Sequence, residues 1–253
     1  MSYRILILLI GLTVARCAPA QPTAPAMATT TLTSTSSPIP TETSTPIPTS
    51  SPTGTLTPTS VPPPPGREVL FGASGSTELS GTVYGEGETA ILLANMSIGG
   101  EKQWDPLVAA VDRQKFTTIT FNYRDIDDAA ADMDLILGWL KENGFRRVIC
   151  IGASLGTRAC NSIAREPEIG GLVLIAGSVH HASVAQATYP KLFISGALDP
   201  RAFDIQTGYE QAAEPKQLVL FEENRAHGTD LFSSKDREPF LTLLIDFVNS
   251  QAI

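Results

Sequence analysis

The 253-residue sequence is poor in the residues that usually support metal or nucleic-acid binding. It contains three histidines and three cysteines. Two of the histidines, His180 and His181, are adjacent, and adjacent histidines on an extended chain cannot readily direct both rings at one metal ion. Acidic residues outnumber basic ones by 26 to 18, which gives a formal net charge of −8. Such a chain repels a phosphate backbone, so we expect no nucleic-acid-binding surface. The few histidines and their placement lead us to expect no metal site.

Charged and aromatic residues are almost absent from residues 18–66. Glu42 is the one charged residue there, and 34 of the 49 positions are Thr, Pro or Ser. This composition cannot build a core, and its prolines favour extended conformations. We expect residues 18–66 to be a disordered linker, either a stalk that carries O-linked sugars or an unmodified spacer. Residues 67–253 are numerous enough for one compact domain.

The apolar run from Ile5 to Val14 is too short to cross about 30 Å of hydrocarbon as a helix. Preceded by one cation, Arg4, it has the form of a secretory signal peptide, so we expect residues 1–17 to direct export. The sequence ending in Cys17 resembles a bacterial lipobox, except that Arg16 stands where a small residue is usual. Lipidation of Cys17 would anchor the protein to the membrane at the cell surface. The alternative is cleavage after residues 18–20, which would release a secreted protein.

Short apolar runs alternate with amphipathic segments from Arg67 onward. Strands are predicted at 68–72, 78–85, 89–94, 115–121, 147–151, 172–176, 191–195 and 217–221. Helices are predicted at about 104–113, at 155–165 and at 203–212. A further helix is predicted to have an apolar face made of Met133, Ile136, Leu137 and Leu140. The C-terminal helix is predicted to face the core with Leu241, Leu244, Ile245 and Val248. Continuous apolar strands separated by helices indicate an α/β fold with a mainly parallel central sheet flanked by helices. Because such sheets bind ligands at the carboxyl ends of their strands, we expect the functional site in the strand-to-helix loops.

The sequence Gly152-Ala153-Ser154-Leu155-Gly156 places a Gly-x-Ser-x-Gly motif between a predicted buried strand and a predicted helix. A serine at so sharp a turn has strained backbone and an exposed hydroxyl, and the glycines relieve crowding. The helix that begins there directs free N–H groups and a partial positive charge at the same point. The motif alone is common by chance, but in this setting it predicts a nucleophilic serine.

This motif and its setting resemble the α/β-hydrolase family, in particular its small members without a lid that are related to dienelactone hydrolases and carboxylesterases. The resemblance extends over nearly all of residues 68–253. It implies the α/β-hydrolase fold with no cap domain. It also implies an open, shallow site, because the connection 177–190 is too short to carry a cap.

The resemblance further implies a catalytic triad in the chain order Ser, acid, His. His227 is the histidine that follows every plausible acid, and Asp199 follows the penultimate predicted strand. The predicted triad is therefore Ser154, Asp199 and His227. Asp230 is the rival acid and Asp204 a weaker one.

An oxyanion hole needs two backbone N–H donors. By the resemblance, Leu155 supplies one of them and the loop after the third strand supplies the other. Relatives often have His-Gly-x in that loop, whereas this chain has Asn95-Met96-Ser97. The second donor is predicted to be Ser97, with Met96 as the alternative.

Three further groups have structural interpretations. Cys150 and Cys160 are expected to pack as small apolar residues, and a disulfide between them is a less favoured alternative that export would permit. The segment 123–125 is expected to be structural, and one of His180 and His181 to border the substrate cleft.

Together these features predict an exported serine hydrolase that cleaves a small-molecule carboxylic ester through an acyl-enzyme, with no cofactor. Two alternatives stay open: a non-catalytic surface binding protein with the same fold, and a hydrolase of amides, thioesters or polyesters. Substrate identity and oligomeric state depend on loop packing and surface shape, which one sequence does not fix.

Overall fold

One eight-stranded sheet organises residues 62–74 and 77–252, which are the residues that the computed structural model describes. Its strands are β1 (Arg67–Ser74), β2 (Thr77–Tyr84), β3 (Thr89–Ala94), β4 (Phe116–Phe121), β5 (Arg147–Ala153), β6 (Ile169–Ile175), β7 (Lys191–Gly196) and β8 (Lys216–Phe221). Their spatial order is β1-β2-β4-β3-β5-β6-β7-β8. Strand β2 runs antiparallel to both of its neighbours, and the other five pairings are parallel.

Six α-helices connect the strands or follow them. They are α1 (Asp105–Ala110), α2 (Ala129–Glu142), α3 (Leu155–Ser162), α4 (His181–Val184), α5 (Ala202–Gln211) and α6 (Arg237–Ser250). Two short 3-10 helices, Glu101–Trp104 and Gly228–Ser233, lie in the connections that follow β3 and β8. The prediction of a mainly parallel sheet flanked by helices, with no cap domain, is confirmed for the described residues.

The central strands are buried on both faces. Every residue of β3, β4 and β7 is buried. Because side chains alternate along a strand, Ala90 and Leu92 face one apolar core, which contains the buried side chains of α2, α3 and α5. Ile91 and Leu93 face the other core, which contains those of α1 and α6. The sheet is thus a rigid frame for the loops at its carboxyl edge.

Helix α1 ends at Ala110, three residues before its predicted end, and the short helix α4 was not predicted. Two further helices, α3 and α6, differ in extent or in buried face. Helix α3 ends at Ser162, three residues before the predicted end, and the chain turns ahead of Pro167, near which a helix is disfavoured. The buried face of α6 is Phe240, Leu244 and Val248, whereas Leu241 and Ile245 are half-buried. The aromatic contact of Phe240 with Phe232, at 4.7 Å between ring centroids, sets this rotation of the helix. The predicted apolar face of α2 is confirmed.

Cys150 in β5 and Cys160 in α3 form a disulfide, so the expectation that they pack as separate thiols is wrong. Helix α3 folds back onto β5, which brings the two Cα atoms to 5.7 Å, a separation typical of disulfides. Both residues are fully buried. The bond therefore joins the strand that enters the Ser154 turn to the helix that leaves it.

No helix among residues 62–74 and 77–252 combines the length and the apolar character needed to cross a membrane.

Removing the disulfide should lower the stability of the domain. The variant Cys150→Ala/Cys160→Ala is expected to lose about 2–3 kcal/mol of unfolding free energy, because the bond closes a short loop in the unfolded chain. Urea denaturation under non-reducing conditions measures this change, with the exposed Ser80→Ala as the control. Thiol titration of the denatured wild-type protein that detects Cys150 and Cys160 as free thiols would contradict the assignment.

Candidate active site

Ser154 occupies a strained turn between β5 and α3. Its φ is 53° and its ψ is −109°, a combination that L-residues rarely adopt and that costs about 1–3 kcal/mol. The backbone N–H of Ser154 donates to the carbonyl oxygen of Ile175, at 2.8 Å, so the turn is held from the neighbouring strand. The side chain is half-buried at the carboxyl edge of the sheet.

The glycines of the motif are required by close backbone approach. A Cβ atom at Gly152 would lie 2.1 Å from the carbonyl oxygen of Gly156, and one at Gly156 would lie 2.1 Å from that of Ala94. Neither contact could be relieved by moving a side chain. The glycines therefore let β5, α3 and the end of β3 meet around the serine.

Thr157 fastens the turn from its far side. The Thr157 hydroxyl oxygen lies 2.7 Å from the carbonyl oxygen of Ser154 and 2.9 Å from that of Ser178, and its single proton is shared between them. Thr157 is fully buried. The residue ties the Ser154 turn to the loop after β6, a link that the sequence analysis missed.

His227 and Asp199 complete a hydrogen-bonded chain with Ser154. The Nε2 atom of His227 lies 2.8 Å from Ser154 Oγ, and its Nδ1 atom lies 2.8 Å from Asp199 Oδ2. Ser154 follows β5, Asp199 follows β7 and His227 follows β8, so the three side chains converge from the carboxyl ends of three strands, with β6 lying between β5 and β7. These are the three residues of the predicted triad.

The chemistry of the partners fixes the roles of the imidazole nitrogens. A carboxylate can only accept a hydrogen bond, so Nδ1 of His227 carries the proton and donates it to Asp199. In the neutral ring, Nε2 then accepts from the Ser154 hydroxyl. The second carboxylate oxygen of Asp199 accepts from the backbone N–H of Arg201, at 2.6 Å. The Asp199 side chain is fully buried, whereas that of His227 is about one-third exposed.

The two rival acids lie elsewhere. Asp230 is exposed, and its backbone N–H donates to the carbonyl oxygen of His227. Asp204 pairs with Arg201 at 3.0 Å. Since the Nδ1 atom of His227 contacts Asp199, neither rival holds the imidazole.

Asn95 organises the loop that follows β3. Its side-chain amide donates to the carbonyl oxygen of Phe121, and its side-chain oxygen accepts from Trp104 Nε1 at 3.0 Å. Its backbone carbonyl oxygen accepts from the Tyr123 hydroxyl at 3.4 Å. Burial, and secondarily the charge of Asp132, raises the pKa of Tyr123 above its ordinary value, so the phenol stays a donor. Asn95 thus fixes the backbone from which Met96 and Ser97 follow.

Met96 and Ser97, the predicted second oxyanion donors, come directly after this anchor. Met96 is half-buried and packs beside Gly228, where a Cβ atom would lie 2.5 Å from its sulfur. Ser97 is exposed. Leu155 begins α3 directly after Ser154. The loop after β3, the start of α3 and the histidine loop therefore meet at one place.

Gln103 connects the loop after β3 to the histidine loop. Its amide group donates to the carbonyl oxygen of Ile98, and its amide oxygen accepts from the Thr229 hydroxyl at 2.8 Å. No sequence motif marks either residue. Because Thr229 stands two positions after His227, this bridge couples the position of the imidazole to that of the loop after β3.

Asn224 connects the histidine loop to the acid loop. Its carbonyl oxygen accepts from the Leu198 N–H at 2.9 Å, next to Asp199, and its side-chain oxygen accepts from the Ala226 N–H at 2.7 Å, next to His227. Its side-chain amide donates to Asp236 at 2.7 Å, just before α6. This buried residue holds the two loops at a fixed separation.

Some cavities of the domain lie away from the carboxyl edge of the sheet, where Ser154, Asp199 and His227 meet. A cavity of about 910 Å³ lies at the amino edge of the sheet, where Gly66, Gly85 and Gln114 contribute to its walls, and it contains none of Ser154, Asp199 and His227. The candidate site is placed at Ser154, His227 and Asp199 rather than at this cavity, because these three side chains form the hydrogen-bonded set that includes a hydroxyl and an imidazole.

The remaining predicted polar groups are structural or lie beside the site. Arg124 forms a buried ion pair with Asp132, at 2.6 Å, which agrees with the structural role expected of segment 123–125. His180 contacts Ser183 at 3.0 Å and lines a pocket beside α3. Within residues 62–74 and 77–252, no three His, Cys, Asp or Glu side chains cluster closely enough to hold a metal ion.

No protein-family model and no curated protein matches the sequence, but solved structures do match the fold. Dienelactone hydrolase from Anabaena variabilis has a TM-score of 0.64 at 19% identity, covering 75% of this chain and 99% of that one. The esterase domain of a Rhodothermus marinus protein has a TM-score of 0.62 at 16% identity, covering 74% and 99%. A monoacylglycerol lipase from Paleococcus ferrophilus has a TM-score of 0.61 at 14% identity, covering 70% and 100%. The described domain therefore has the α/β-hydrolase fold.

Loss of the Asn95 side chain should destabilise the domain. In Asn95→Ala the Phe121 carbonyl and the Trp104 N–H lose their buried partner, which should cost about 2–4 kcal/mol of unfolding free energy. Urea denaturation tests this, with the exposed Asn249→Ala as the matched control, expected to lie within about 0.5 kcal/mol of wild type. Equal unfolding midpoints for the two variants would show that Asn95 does not anchor the loop.

Proposed function

We propose that residues 67–253 form a serine hydrolase domain that cleaves carboxylic esters through an acyl-enzyme on Ser154. The observation that carries this proposal is the hydrogen-bonded chain from Ser154 through His227 to the buried Asp199, with 2.8 Å at both links. A serine hydroxyl is a poor nucleophile until a neutral imidazole accepts its proton. This chain presents that imidazole in the required tautomer.

In the proposed acylation step, Ser154 Oγ attacks the ester carbonyl carbon while His227 Nε2 takes the hydroxyl proton. The imidazolium that forms is stabilised by Asp199, which stays ionised. Collapse of the tetrahedral intermediate breaks the ester C–O bond, and His227 returns the proton to the leaving alcohol. A water molecule then repeats the sequence on the acyl-enzyme, which releases the acid and restores Ser154.

The oxyanion of each intermediate needs donors beside Ser154. We assign one to the backbone N–H of Leu155 at the start of α3, where the helix dipole also favours negative charge. The second is assigned to Ser97, with Met96 as the alternative. The fixing of this loop by Asn95 and Gln103 supports a preorganised hole. Every group used is supplied by the chain, so the proposed reaction needs no cofactor or metal.

Exposed apolar side chains suit a small-molecule ester as the substrate. Ile98 follows β3 and is 81% exposed, and Leu198 and Phe203 follow β7, with Phe203 75% exposed. All three belong to segments that leave the carboxyl edge of the sheet, as Ser154 does. Such side chains can contact the apolar part of an ester without enclosing it, which agrees with an open site.

We further propose that the protein is exported and anchored through Cys17, with residues 18–66 as the stalk. Residues 1–61 lie outside the described residues, so both predictions rest on the sequence. The Cys150–Cys160 disulfide supports export, because such bonds persist in oxidising compartments. Gly66 lies against Thr82 and Tyr84, near the amino edge. The linker would therefore join the domain at the edge opposite Ser154.

The nucleophile can be tested directly. Ser154→Ala should lower kcat/KM for 4-nitrophenyl acetate by about 10⁴-fold or more, since it removes the attacking atom, while the circular dichroism spectrum stays unchanged. Ser80→Ala, an exposed serine in β2, is the matched control and should keep wild-type activity. Undiminished turnover by a folded Ser154→Ala variant would instead favour a binding protein or a different nucleophile.

The processing of the N-terminus makes a separate prediction. After expression in a bacterial host, mass spectrometry of the mature protein should find Cys17 as the first residue, with a mass increase equal to that of its lipid. The variant Cys17→Ala should lose both the lipid and membrane association. A mature chain that begins after residues 18–20 without lipid would show that the protein is secreted.

A further inference from the structure

A pocket of about 440 Å³ lies between α3 and α4, outside the Ser154–His227–Asp199 chain. We call it the α3–α4 pocket, and its walls are Arg158, Asn161, Ser162, Arg165, His180 and Ser183. Its volume is within the range of small-molecule sites. Two of its six residues are arginines, although the chain as a whole carries a formal net charge of −8.

Neither arginine of the pocket is neutralised by an acidic side chain, although some cations of the domain are. Arg124, Lys141 and Arg201 all form ion pairs. Within residues 62–74 and 77–252, no carboxylate lies within ion-pair distance of Arg158 or Arg165. An unpaired guanidinium pair on one pocket wall favours an anion, because arginine binds carboxylate and phosphate groups through two parallel hydrogen bonds.

Arg165 is held in place, and Arg158 is left available. Arg165 donates one hydrogen bond to the carbonyl oxygen of Ala182 at 3.0 Å, which fixes its guanidinium at the pocket. Arg158 is exposed. The pocket therefore offers one positioned and one adaptable cation.

An unused acceptor in the same wall points to a ligand as well. Asn161 is only 4% exposed, and its side-chain oxygen has no hydrogen-bond partner among the described residues. The amide orientation is fixed, because its nitrogen donates to the carbonyl oxygen of Thr157 at 2.7 Å, and that oxygen can only accept. A buried acceptor without a partner costs about 1–3 kcal/mol. A hydroxyl or N–H of a bound molecule would supply the missing donor.

The α3–α4 pocket is close enough to Ser154 to hold another part of the same substrate. Arg158 comes four residues after Ser154, which places it about 6 Å further along the helix axis. The Cys150–Cys160 disulfide fastens α3 to β5 next to Asn161. The fold therefore fixes the position of the Arg158 backbone relative to Ser154.

We propose that the α3–α4 pocket binds an anionic group, a carboxylate or phosphate, of the ester substrate, and that Arg158 and Arg165 determine this specificity. The proposal rests on the proposed ester hydrolysis at Ser154. It narrows the substrate to an ester whose acid part or alcohol part carries a negative charge at a distance from the scissile bond.

Matched pairs of esters test this inference. Mono-4-nitrophenyl esters of dicarboxylic acids from glutaric to suberic acid would be compared with 4-nitrophenyl esters of the uncharged acids of equal length. The ratio of kcat/KM, charged over neutral, should exceed one and peak at one chain length. Arg158→Gln/Arg165→Gln should lower that ratio about 5- to 20-fold, as expected for the loss of two partly exposed charge contacts. Arg146→Gln, an exposed arginine at the amino edge, is the matched control and should leave the ratio unchanged.

Inorganic phosphate distinguishes a bound part of the substrate from a separate anion. Phosphate that competes with the charged esters and leaves the neutral ones unaffected would support the assignment. Phosphate that changes the turnover of charged and neutral esters equally would overturn the anion-binding proposal. A charged-to-neutral ratio of kcat/KM of one or less at every chain length would also overturn it. If the ratio is one or less but the neutral esters are hydrolysed, the proposed ester hydrolysis at Ser154 is still supported and only the anion-binding proposal is wrong. Failure to hydrolyse any ester would overturn the proposed function itself.

If no ester is hydrolysed, NMR titration with octanedioate tests the pocket on its own. Signal changes that are lost in Arg158→Gln/Arg165→Gln and absent with octanoate would support anion binding. The absence of any change would overturn it.

Discussion

The backbone of Ser154 is held in a conformation that an isolated chain would avoid, and the site depends on that constraint. The strain, about 1–3 kcal/mol, is offset by contacts on all sides of the turn. Gly152 and Gly156 allow the surrounding backbone to approach, and Thr157 holds the turn by its carbonyl oxygen. The disulfide between β5 and α3 closes the same strand–turn–helix unit. Relaxation of the turn would move the Ser154 hydroxyl away from the imidazole of His227.

A second set of contacts holds the loops that meet this turn. Asn95 fixes the loop after β3, Asn224 joins the acid loop to the histidine loop, and Gln103 joins the histidine loop to the loop after β3. Asn95 and Gln103 do this with amide side chains that donate and accept at once, so each satisfies two partners that face different directions. Asn224 does it with two acceptors, its backbone carbonyl oxygen towards the acid loop and its side-chain oxygen towards the histidine loop. Preorganisation of this kind is what electrostatic stabilisation of an oxyanion requires, because loops that must rearrange during the reaction lose much of the benefit.

The sequence predicts the features that depend on local pattern and chain order. The alternation of apolar strands with helices predicted the mainly parallel sheet, and Gly-x-Ser-x-Gly at a strand-to-helix boundary predicted the sharp turn at Ser154. Of the three histidines in the chain, His227 is the one that fits the triad order implied by the family resemblance. What could not be predicted depends on packing between distant elements: the rotation of α6 onto Phe232, the meeting of Cys150 with Cys160, and the use of Asn95, Gln103 and Asn224 as links between loops. No spacing rule marks these residues, because their partners are brought together only by the folded sheet.

The central claim is that Ser154 is activated by His227, and covalent labelling tests it most directly. The wild-type protein and His227→Ala would be incubated with an alkyl fluorophosphonate, followed by intact-mass measurement and peptide mapping. We expect one phosphonyl group per chain, attached to Ser154, with a labelling rate about 100-fold or more above that of His227→Ala. No labelling of Ser154, or equal rates in the two proteins, would contradict it.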